Sequence, residues 1–169
     1  MWECRVGRVG AVVESSAMAQ PAQTRIFGPI VWATDGSARS DDAYAYVRDA
    51  CERSGSSLLI VHIARPFGTS ADESRIAKLK AMTSALRRHG LDASLHVVRG
   101  AFGSPARHIA EVARMAGAEL LVVATRGRSP LAGAATGSVT QHLLAEAPCP
   151  VLILTPASRA LSAEVRQSA

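Results

Sequence analysis

Residues 124–139 read Ala-Thr-Arg-Gly-Arg-Ser-Pro-Leu-Ala-Gly-Ala-Ala-Thr-Gly-Ser-Val, and their types and spacing suit an anion site. Gly127 and Gly137 let the backbone approach a bulky ligand with no Cβ in the way. Arg126 and Arg128 add full positive charge beside them. Ser138 stands where a helix begins and can cap it or donate to a phosphate oxygen. Free N–H groups at a helix N-terminus point outward, and the helix dipole favours negative charge there. A surface loop with an ordinary serine cap fits the same residues. The stretch is not a Walker loop, because no lysine follows the glycines, and it is not G-x-G-x-x-G.

Asp35, in Thr34-Asp35-Gly36-Ser37, is the second candidate. Its carboxylate could accept a hydrogen bond from adenine or ribose, help hold Mg²⁺, or close an Asx turn beside Gly36. His62, His89, His96, His108 and His142 are not paired at metal-ligand spacing. They are expected at the surface or at helix ends. Ser138 as a nucleophile would need a base and an orienting group. His142, one turn on, is the nearby base, but no G-x-S-x-G elbow is present, so hydrolase chemistry is not expected. Cys149, between Pro148 and Pro150, reads as a small packed residue.

The elements around these residues follow from hydrophobic period. Residues 120–123, Leu-Leu-Val-Val, read as a strand buried on both faces, as in a parallel sheet. About a dozen loop residues follow, against roughly 2–6 in an ordinary βα connection. A helix then carries Val139, Leu143 and Leu144 at helical spacing. Upstream, residues 29–34 form a first strand, and Ala43, Tyr46, Val47, Ala50 and Cys51 mark the inner face of a helix stopped by Gly55. Residues 57–63 form a second strand. The stretch from Ser70 to Glu73 has the capping-box pattern and opens a helix with Ile76, Leu79, Met82 and Leu86 inward, ended by Gly90. Leu91, Ala93, Leu95 and Val97 alternate with polar residues, as in a half-exposed edge strand. Ser104-Pro105 is an N-cap with proline at the first helical position, before a helix with Ile109, Ala110, Ala113 and Ala116 inward, stopped by Gly117. Residues 151–154 are the fifth strand. This alternation predicts a parallel sheet with helices on both faces.

The chain has 169 residues, enough for one domain with a proper core. Residues 1–24 collect Gly, Ser, Ala, Gln and Pro and read as a disordered leader, with Met18 a second candidate start. Residues 25–156 form the α/β domain and residues 157–169 a loose tail. No run approaches the roughly 20 apolar residues of a membrane span. The N-terminus lacks the pattern of a signal peptide. Cys4, Cys51 and Cys149 make an odd set with no C-x-x-C, which argues against a disulfide framework or a zinc site and fits the cytoplasm. The net charge of +5 is scattered among acidic neighbours with no basic run or stacking aromatic pair, which argues against nucleic acid.

The spacing of Gly127, nine residues, then Gly137-Ser138-Val139 resembles the nucleotide loop of the universal stress protein family, G-x-x-G-x9-G-[ST]. The helix, the Pro-containing turn at residues 147–150 and the short strand at 151–154 resemble that family too. The similarity runs from about Ile26 to Pro156, with one departure: Ala124 stands where the first glycine is expected. The resemblance implies a Rossmann-like open five-stranded parallel sheet of order 3-2-1-4-5. That order sets Asp35 across one crevice from the Gly127–Gly137 loop. It further implies an adenine-nucleotide site: Ala33, Thr34, Asp35 and the backbone of Ile63 toward adenine and ribose, with Ala124, Arg126, Gly127, Arg128, Gly137, Ser138 and Val139 completing it toward the phosphates. Ile63 fits a plain core position equally. The cofactor implied is ATP, with Mg²⁺ as an accompanying ion to consider. The assembly implied is a homodimer through residues 150–155.

The resulting expectation is an ATP-binding regulatory module of the stress response, not an enzyme, with at most slow ATP hydrolysis. The alternative is a family member that binds no nucleotide and works as a dimeric interaction module. Gly127, Gly137 and Ser138 favour the first; Ala124 favours the second. A related α/β ATP-using enzyme ranks last, because S-G-G-x-D-S is expected near its first strand and Thr34-Asp35-Gly36-Ser37 stands there instead.

Overall fold

The apolar runs separate at glycines, prolines and short polar turns, and each becomes one strand or one helix. The computed structural model describes residues 28–65, 68–99, 103–124 and 138–155. Within them the chain alternates β1 (Ile30–Ala33), α1 (Ala38–Ser54), β2 (Leu58–Ile63), α2 (Ser70–Arg88), β3 (Ala93–Val98), α3 (Pro105–Met115), β4 (Leu120–Ala124), α4 (Ser138–Glu146) and β5 (Val151–Leu154). Every strand pairing is parallel, and the order is β3-β2-β1-β4-β5. This is the Rossmann-like α/β sheet that the sequence and its resemblance predict.

Successive strand residues point to opposite faces. Ile30, Trp32, Leu58, Ile60 and Val122 meet Ala43, Val47, Cys51, Leu79 and Leu86 of α1 and α2. Val31, Ala33, Val61, Leu121 and Val123 meet Ala106, Ile109, Ala113 and Leu143 of α3 and α4. The sheet is thus covered on both sides by small and branched side chains. Cys51 lies in the first layer, where burial, with Glu52 adding, pushes its thiol up to about 12; it is an inert packing group.

Helix ends follow the local signals with one shift. Gly55 caps α1 in the left-handed region at φ 66°, and Ser104-Pro105 opens α3. The cap of α2, however, is Thr69 with Asp72, one residue before the expected Ser70 and Glu73. Asp72 is buried and accepts the Thr69 backbone N–H at 3.1 Å. Glu73 turns outward to Arg99, at 2.7 Å, just past β3. On α4, of the apolar residues at helical spacing, Leu144 is 57% exposed. A helix turns by about 100° per residue, so the position after the buried Leu143 leaves the inner stripe.

Two outcomes follow from this packing. Leu79→Ala removes a fully buried side chain and should cost about 2–5 kcal/mol in urea unfolding. The Thr69 N–H, then the Thr69 hydroxyl, Arg65 and Arg75, hold the Asp72 carboxyl below its usual 3.8. Its stabilisation is therefore full above about 3.8 and is lost as pH falls through the lower folded value. Urea midpoints taken on the acid side should fall more steeply in wild type than in Asp72→Asn, which starts lower.

Candidate functional site

In an open parallel sheet, ligands bind beyond the carboxyl ends of the strands, where the strand order reverses. Here that point lies between β1 and β4. β1 sends α1 to one face and β4 sends α4 to the other. Ala33 pairs with Val123, so Thr34 emerges beside Ala124. Ala33 also pairs with Val61, so Ile63 ends β2 on the same edge. Ala33, Thr34, Asp35, Ile63 and Ala124 are thereby gathered at one carboxyl edge. Ser138 begins α4 and is exposed, while Val139 packs against the α3–α4 layer. Arg126, Gly127, Arg128 and Gly137 lie outside the described residues.

The β1–α1 turn is closely tied. Asp35 Oδ1 accepts the Ser37 N–H at 3.0 Å, the Asx turn that its position beside Gly36 suggested. The Gly36 N–H donates to Thr34 Oγ1 at 3.1 Å, and the Thr34 hydroxyl donates to Ser40 Oγ at 2.8 Å. Ser40 in turn donates to the Ser37 carbonyl at 2.7 Å. Helix α2 closes over this turn. Lys78 Nζ donates to the Gly36 carbonyl at 3.4 Å and forms an ion pair with Asp41. Gly36 has φ +68°, and a Cβ there would lie 2.9 Å from Arg75 Cβ. Both backbone and space require glycine.

Ala124 closes β4, half-buried against the α1–α2 layer. No residue other than glycine has a positive φ among the described residues, so the methyl group at 124 sits in ordinary strand backbone.

His62 overturns its expectation. It is 2% exposed, inside β2, and neither at the surface nor at a helix end. Its Nδ1 lies 3.0 Å from the Thr34 carbonyl oxygen. A carbonyl only accepts, so Nδ1 carries the hydrogen. Nε2 is buried with no partner among the described residues. The signal was present in the period: position 62 falls on the same strand face as Leu58 and Ile60.

No group of three or more His, Cys, Asp or Glu side chains suits a metal among the described residues. A cleft of about 330 Å³ lies between α3 and α4, lined by Arg107, Ala110, Glu111, Arg114 and Glu146, none of them a candidate site residue. Among the described residues no helix is long and apolar enough to cross a membrane.

A sequence model of the universal stress protein family matches residues 27–155. The chain belongs to this family. Among its relatives, the Thermus aquaticus "Universal stress protein in QAH/OAS sulfhydrylase 3'region" is 31% identical over 140 residues, covering 76% of this chain and 99% of that protein. A universal stress protein solved in complex with cAMP is 26% identical, with a TM-score of 0.61 over 76% of this chain and 97% of the other. The universal stress protein from Archaeoglobus fulgidus in complex with dAMP is 25% identical, with a TM-score of 0.57 over 76% of this chain and 98% of the other.

The turn of this universal stress protein makes a direct prediction. Gly36→Ala forces a side chain into left-handed backbone, at about 1–3 kcal/mol, and pushes against α2 as well. Thermal unfolding should show a loss at or above the upper end of that range. A loss no larger than that of an exposed Gly→Ala in a regular helix would contradict the packing described.

Proposed function

We infer that this universal stress protein binds an adenine nucleotide at the carboxyl edge of β1 and β4 and acts as a regulatory module of the stress response. The observation that carries this reading is the Asp35 turn at the switch point of the sheet, in a chain whose solved relatives hold cAMP and dAMP. Those two ligands share an adenine and one phosphate. A carboxylate on a fixed turn suits the adenine amino group or a ribose hydroxyl, so Ala33, Thr34, Asp35 and Ile63 take that end. Ala124, Arg126, Gly127, Arg128, Gly137, Ser138 and Val139 take the phosphates, with N–H groups at the α4 terminus and arginine charge as the attraction. ATP with Mg²⁺ is the form proposed, with slow hydrolysis at most. The thiols of Cys51 and Cys149, unpaired among the described residues, fit a reducing, cytoplasmic setting.

Assembly belongs to the same proposal. Among the described residues β5 pairs with β4 on one side only, and Val151, Leu152 and Ile153 are half-buried. An apolar edge strand invites a further strand, and residues 150–155 of a second copy would supply it. Light scattering should show a dimer at micromolar concentration and a monomer for Ile153→Asp. A wild-type monomer would remove the dimer.

The nucleotide test is titration calorimetry with Mg-ATP and with AMP. Wild type should bind. Gly137→Asp should not, because its carboxylate stands where phosphate would sit. Ala124→Gly should change affinity by less than about tenfold, or ~1.4 kcal/mol. Binding by Ala124→Gly but not by wild type would favour the second reading, a dimeric interaction module that has lost its nucleotide.

A further inference from the structure

We propose that His62 is a positioning residue for the nucleotide site, acting through the Thr34 carbonyl to present Asp35. This rests on the nucleotide reading above. The β1–β2 register, with Ala33 opposite Val61, brings His62 beside Thr34. The ring spans the gap to the first carbonyl beyond β1, with Nδ1 and the oxygen 3.0 Å apart. A peptide unit is planar. Holding the Thr34 carbonyl therefore sets the direction of the Asp35 N–H and the place of its Cα.

The other side-chain anchors of the turn act elsewhere. The Thr34 hydroxyl is committed to Gly36 and Ser40. Asp35 Oδ1 is committed to Ser37. They shape the turn from within and from α1, and Lys78 holds the Gly36 carbonyl from α2. The Thr34 N–H continues the β1–β2 ladder to the Val61 carbonyl at 3.0 Å, and His62 is the β2 side chain that holds the carbonyl of the same residue. The same residue directly precedes Ile63, so one ring braces both strand ends that would face adenine.

The chemistry of the ring supports a role beyond packing. A buried nitrogen without a partner costs free energy, and an apolar side chain of similar size would avoid that cost. At position 62 the face is otherwise built of Leu58 and Ile60. A histidine there is disfavoured as core filling and explained by what Nδ1 holds.

The experiment compares wild type, His62→Leu and His62→Asn in AMP titrations, with thermal unfolding alongside. The Asn side-chain nitrogen occupies the place of Nδ1 and can donate to the same carbonyl; Leu cannot. His62→Leu should remain folded and lose about tenfold or more in affinity, the scale on which supporting residues act on groups they orient. His62→Asn should recover most of that loss. Nitrogen NMR of histidine-labelled wild type should show the Nδ1–H tautomer, with the His62 signals shifting when AMP is added. Unchanged affinity in a folded His62→Leu, an Nε2–H tautomer, or no rescue by Asn would overturn the role of His62. The tautomer readout stands even where the leucine variant fails to fold. Absence of AMP binding by wild type overturns the nucleotide reading itself, and this inference with it.

Discussion

A parallel sheet leaves no face for water, because each strand-to-strand crossover must lay its connection across one side or the other. Here α1 and α2 take one side and α3 and α4 the other. The reversal falls between β1 and β4, so their outgoing turns part like the covers of a book. The crevice is a product of topology before any side chain is considered. It exists because Trp32 and Val122 must be covered by one pair of helices while Val31 and Val123 are covered by the other.

The crevice is given its shape by polar contacts of modest individual strength. Thr34, Asp35, Ser37 and Ser40 bond with one another within a seven-residue stretch, and each bond is short range. Alone, such a turn would exchange with water. It is held from outside by His62 on β2 and by Lys78 on α2. Gly36 permits that approach, since anything larger would collide with Arg75. The exposed ion pair of Arg99 with Glu73 adds little by comparison, because surface pairs are screened.

Much of this was legible in the residue order. The alternation of apolar runs with helical stripes marked all nine elements that the described residues contain, and Gly55, Pro105 and Thr34-Asp35-Gly36 marked their ends. Strand order was not legible from period; it came through the resemblance of the Gly127–Gly137 spacing, because pairing is a tertiary choice that leaves no local trace. The α2 cap falls one residue earlier than expected because Thr69-x-x-Asp72 and Ser70-x-x-Glu73 overlap, and Arg99, just past β3, draws Glu73 away. The burial of His62 is not legible from residue type, because its partner is the backbone carbonyl of Thr34, just past β1, which no sequence displays. Of the proposed phosphate end, Arg126, Gly127, Arg128 and Gly137 lie outside the described residues.

Lys78 and Gly36 are 42 residues apart in sequence. Local turns form early in folding, whereas contacts across long loops wait for the chain between them. As the chain is synthesised, the stretch around Asp35 is complete well before α2 exists to close over it. Its final geometry therefore arrives late, with the docking of a helix that holds none of the proposed ligand contacts. A chain ending between β2 and α2 would carry the whole Thr34–Ser37 sequence and lack the helix that closes over it.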